Sequence, residues 1–107
     1  MDLCKKVIGN IGLVLEKTDS CSSDDTKTTV YCLYITNYSK KRVTGKIIMD
    51  IVPPAEIYPG DDIMMSVKPE GTISTEFKIV KPVNSEKPAL IITIQPDEGS
   101  EITARFE

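Results

Sequence analysis

The chain has 107 residues, 40% hydrophobic and 27% charged, with a formal net charge of −3 and no histidine. That length supports one domain over residues 1–107, with a single core and no room for a deep catalytic cleft beside it. The acidic balance excludes nucleic acid as a partner, because phosphates demand a basic face, and no run of about eighteen apolar residues is present to span a bilayer.

The opening "MDLCKKVIGN" carries two lysines but no apolar signal core with a small-residue cleavage site behind it. A first strand is predicted over 5–17, interrupted by Gly9 and Gly12, which mark a bulge or a change of partner. Residues 18–27, "TDSCSSDDTK", read as a polar loop. "TTVYCLYITN" (28–37) is apolar on both sides, as a strand in the middle of a covered sheet should be. "YSKK" turns the chain into 42–52, which places Val43, Gly45, Ile47, Met49 and Ile51 on one face. Pro53 and Pro54 end that strand, since neither can donate to a ladder. Tyr58-Pro59-Gly60-Asp61 has the composition of a type II turn.

A short strand at 62–68 and a tight "PEG" turn lead into 71–82. There Ile73, Thr75, Phe77 and Ile79 alternate with Ser74, Glu76, Lys78 and Val80, the pattern of a strand buried on one face. After a loop at 81–88 come strands at 89–95 and 101–107, the last with Ile102, Ala104 and Phe106 on one side. No segment keeps a helical period. About seven short strands separated by turns predict an all-β fold, an immunoglobulin-like antiparallel sandwich.

The chemistry such a sequence can carry is sparse. Without histidine there is no Ser-His or Cys-His pair and no general base near neutral pH, so the chain is expected not to be an enzyme and to need no cofactor. Cys4, Cys21 and Cys32 match no zinc or redox spacing and read as reduced thiols, with Cys32 a small core residue. Sandwich topology would bring Asp24-Asp25, Asp61-Asp62 and Glu86 to one pole. Calcium needs six to eight oxygens, but no D-x-D-x-D spacing is present, so these residues read as solvated turns and no metal site is expected. The other pole gathers "SKKR" (39–42) with Glu70, Asp97, Glu98 and Glu101, a balance of charges between loops. "IMM" (63–65) with "II" (47–48) offers either core filling or an adaptable apolar surface.

The order of these features resembles a known family. "IGLVLEKT" (11–18), "VYCLYITNYSKKRVTGKIIMDIVP" (30–53), "GTISTEFKIVKP" (71–82) and "PALIITIQ" (88–95) together resemble the ear, or appendage, domain of the adaptins, the gamma-type ear above all. The resemblance implies an immunoglobulin-like sandwich that binds short peptide motifs of accessory proteins. It implies a place in vesicle trafficking, in the cytoplasm and peripheral to Golgi and endosomal membranes, with membrane contact only through a clathrin-adaptor coat. The family's peptide-binding positions fall on Ile51, Pro54, Ala89 and Ile91. Ile51 keeps an apolar position, whereas Pro54, Ala89 and Ile91 stand where the family carries lysine or arginine. The usual attraction for acidic peptides is therefore expected to be lost at that groove.

Two other readings stay open. One is a structural or adhesive immunoglobulin-like module of a secreted protein, in which the thiols would be oxidised. The other is a lipid-binding sandwich, since "NYS" (37–39) and "PPAEIYPGD" (53–61) resemble the aegerolysins. The absence of tryptophan and the few aromatic side chains weigh against the latter.

Overall fold

A computed structural model of the chain describes residues 3–60, 62–84 and 88–106. Among these, every regular element is a strand: β1 (Leu3–Ile8), β2 (Ile11–Ser22), β3 (Thr26–Asn37), β4 (Val43–Val52), β5 (Glu56–Tyr58), β6 (Asp62–Val67), β7 (Thr72–Pro82), β8 (Ala89–Pro96) and β9 (Ile102–Phe106). They form a five-stranded sheet in the order β1-β2-β3-β7-β5 and a four-stranded sheet in the order β6-β4-β8-β9. All ladders are antiparallel. This is the immunoglobulin-like sandwich that the alternation predicts.

The core fills the space between the sheets. Leu13 and Leu15 of β2, Leu33 and Ile35 of β3, and Phe77 and Ile79 of β7 come from one side. Ile47, Met49 and Ile51 of β4, Ile92 and Ile94 of β8, and Ala104 and Phe106 of β9 come from the other. Each is one member of an alternating row, because successive side chains leave a strand in opposite directions. Tyr31 and Phe77 are direct cross-strand partners and stack with ring centroids 5.5 Å apart. Gly45 marks a close approach of β4 to the end of β8, where a Cβ would sit 2.1 Å from the Gln95 carbonyl oxygen.

Several sequence expectations need correction. The run at 5–17 is two strands, not one. Gly9, at φ +59°, opens a two-residue hairpin turn with Asn10, and Ile8 pairs with Ile11 across it. Gly12 is no bulge; its missing side chain leaves room for the Tyr38 ring, which a Cβ would approach to 2.8 Å. The irregularity lies further on, between Lys17 and Asp19. Most of the polar stretch 18–27 is strand, because β2 and β3 run on as a hairpin whose tip is exposed and imposes no demand for apolar residues. β5 is too short to show a period. The turn expected at 58–61 ends on Asp61, outside the described residues; Gly60 itself does not take the positive φ that a type II turn requires. The tight turn at 69–71 does form, with Glu70 at φ 57° and the Gly71 amide donating to the Lys68 carbonyl.

One polar side chain is built into the packing. Asn37, at the end of β3, is fully buried. Its Nδ2 donates to the carbonyls of Lys41 at 2.7 Å and Val67 at 3.2 Å, with that of Lys68 at 3.4 Å. Its Oδ1 accepts from the Ser39 amide at 2.9 Å and the Ser39 hydroxyl at 2.7 Å. The side chain thereby ties the "YSKK" turn to the end of β6, and so links the two sheets.

Candidate functional site

The candidate site lies at the end of the four-stranded sheet where β4 and β8 pair. Val52 is registered with Ala89, Ile51 with Leu90, and Asp50 with Ile91. Alternation then sorts them: Ile51 and Leu90 point into the core, while Val52, Asp50, Ala89 and Ile91 belong to the outer row. Ile51 is only 4% exposed and Ala89 6%, whereas Val52 is 51% exposed. Ile91 is half-buried, and Arg105 of β9 lies across from it on the side opposite Asp50. The outer surface here is an apolar step of Val52 and Ile91 with an acid and a base on its two sides.

Pro54 lies just past the strand, in the exposed segment after the cis Val52–Pro53 bond. A shallow concavity of about 340 Å³ opens there, lined by Met49, Asp50, Ile51, Pro54, Ala55, Ile57 and Gly60. The structure thus brings Ile51 and Pro54 to one hollow; Ala89 and Ile91 do not line it, and Asp50, the ladder partner of Ile91, does. Val52 is the exposed apolar residue that sequence reasoning did not single out. The alternation of 42–52 contained the signal, because it already set Ile51 on the core face and Val52 on the other.

A larger concavity of about 550 Å³ lies at the opposite end of β4, between Lys41, Arg42, Val43 and Thr44 on one side and Pro96, Asp97 and Glu98 on the other. The Thr44 hydroxyl donates to Asp97 Oδ2 at 2.8 Å, and Glu70 donates its amide to the Ser39 carbonyl at 3.3 Å. The basic and acidic loops expected to meet do meet. Because cations and anions face each other there, the hollow presents no net charge to a ligand.

Among the described residues no three histidine, cysteine, aspartate or glutamate side chains stand together as a metal site would require. Asp61 and Glu86 of the acidic pole lie outside the described residues, and Asp62 is drawn to Lys46 Nζ at 3.9 Å. The cysteines are all unpaired. Cys32 is not a core residue: it lies on the outer face of β3, between Glu16 and Glu76 of the flanking strands. Tyr34, two residues on, has its phenol raised by hydrogen bonding to Cys32 and by the Glu16 charge.

Among solved structures, the chain matches a domain of nearly the same extent. The chain is similar to the GAE (gamma-adaptin ear) domain of GGA2p from Saccharomyces cerevisiae, with a TM-score of 0.56 over 98% of this chain and 96% of that one. It has an adaptin-ear-like fold. Identity is 17%, so the likeness is one of architecture. No protein-family model matches the sequence, and no curated protein does.

Proposed function

We propose that the chain is a non-catalytic interaction module of adaptin-ear type, which binds short peptide motifs of accessory proteins during vesicle formation. Its place would be the cytoplasmic side of Golgi and endosomal membranes, reached through a coat complex. The observation that carries this reading is the likeness of the whole sandwich, end to end, to an ear domain.

The apolar step of Val52 and Ile91 beside the hollow at Ile51 and Pro54 supplies a surface suited to the task. An extended segment can lay one bulky apolar side chain against such a step and a small residue where the backbone must come close. Contacts of this size give roughly micromolar affinity, and recruitment then depends on many weak sites on one coat. Since proline, alanine and isoleucine occupy the basic positions of the family, the motif read here is apolar rather than acid-dominated.

The test is a titration of labelled peptides containing phenylalanine and glycine, with and without flanking acids. Saturable binding is expected to survive removal of the flanking acids and to be lost in Ile91→Glu, which sets a charge on the apolar step. Equal binding by that variant would overturn the assignment of the site.

A further inference from the structure

β1 is the outermost strand of the five-stranded sheet, and all six of its residues are exposed. It pairs with β2 on one side, so among the described residues alternate N–H and C=O groups along its outer side have no strand to bond. Its register on β2 sets Leu3, Lys5 and Val7 on the outer face, with Glu16, Val14 and Gly12, and Cys4, Lys6 and Ile8 on the inner face. Leu3 is 61% exposed and Val7 54%. On the inner side β1 and β9 frame an open cleft of about 420 Å³, lined by Cys4, Lys6, Arg105 and Phe106. Lys6 Nζ stands 5.6 Å from the centre of the Phe106 ring. Among the described residues neither Lys5 nor Lys6 is held in an ion pair.

We propose that this edge is a second docking site, which receives an extended acidic segment of another protein as an added strand beside β1. The choice of occupant follows from charge. Lys5 and Lys6 are consecutive, so one ammonium projects from each face of the sheet at the same point of the strand. A complementary strand carries two consecutive carboxylates there, one for each face, with apolar or β-branched residues on either side against Leu3, Val7 and Ile8. A second copy of the chain is a poor occupant. Antiparallel self-pairing about the middle of β1 sets Lys5 against Lys5 or Lys6 against Lys6, and like charges directly opposite destabilise a sheet. The lysines thus discourage self-association while leaving the edge open to an acidic strand. The added strand would extend the other sheet from the one that carries the Ile91 step, although Arg105 borders both, and the proposal does not rest on the function proposed above.

Two exposed thiols make the test internal to the molecule. Cys4 lies in the β1 cleft, and Cys21 lies near the exposed end of the long β2–β3 hairpin. The probe is a short synthetic peptide alternating valine and threonine around a central Glu-Glu, followed by fluorescence anisotropy and by the alkylation rate of each cysteine. Saturable binding is expected, weakening with salt, with Cys4 protected and Cys21 unchanged. The double variant Lys5→Glu, Lys6→Glu should lose about tenfold or more in affinity and should instead take up the Lys-Lys version of the peptide, which also shows that it folds. A peptide with prolines at alternate positions, unable to complete a ladder, should not bind. The proposal fails if the acidic peptide does not bind, if the charge-reversed variant binds it equally, if the proline peptide binds as well, or if Cys4 is alkylated at the same rate with and without the peptide. Dimerisation of the protein through β1 in sedimentation would also overturn it, by naming a second copy as the occupant.

Discussion

β8 and β1 have comparably apolar sequences and opposite fates. In β8, Leu90, Ile92 and Ile94 are buried and the strand is paired on both sides, by β4 and by β9. In β1, Leu3, Val7 and Ile8 are exposed and one side of the backbone is paired. The difference lies in what is across the gap. β8 faces the packed interior of the opposite sheet, while β1 faces an open cleft at the rim. A strand held by one ladder without a buried row contributes little to stability, and its apolar atoms remain available to a partner.

Truncation should break this comparison most sharply. Ile92→Ala removes a fully buried side chain and should cost about 4 kcal/mol by denaturant titration. A loss of under about 1 kcal/mol there would mean that the space between the sheets is not close-packed. Asn37→Ala should come next, at about 2–3 kcal/mol, because the buried carbonyl of Val67 and the Ser39 amide would lose their partner. Val7→Ala on the exposed strand should move the midpoint by no more than about 0.5 kcal/mol. A larger effect would show that β1 is part of the core.

The smallest effect is a titration. The Tyr58 phenol is raised by its hydrogen bond to Glu56 and by the carboxylate's charge. Its contribution to stability is present below the unfolded value of about 10 and is lost as pH rises through the folded one. In Glu56→Gln that tyrosinate transition should move down in pH, and an unchanged transition would remove the Glu56 charge as a cause.

The same contrast explains what was legible in the sequence. Strands with one buried face announced themselves: 42–52 and 71–82 alternate because Ile47, Met49, Ile51, Phe77 and Ile79 must all reach one interior. β1 carries no such signature, since neither of its faces is buried, so its residues run on into those of β2 as one apolar stretch. The end of β2 escaped for the same reason, its polar residues lying beyond the reach of the facing sheet. The role of Asn37 was hidden because one residue type serves surface turns and buried tethers alike. At the candidate site, the resemblance pointed to the paired end of β4 and β8. Only the pleat separated Val52 and Ile91, which face outward, from Ile51, which does not.

The central claim is that the outward step beside the β4–β8 end holds an extended peptide. Chemical-shift mapping on nitrogen-labelled protein, titrated with an unlabelled phenylalanine- and glycine-containing peptide, tests it residue by residue. The expected result is a saturable set of shifts centred on Val52 and Ile91, with β1 unmoved. Shifts confined to other strands, or none that saturate, would contradict the account.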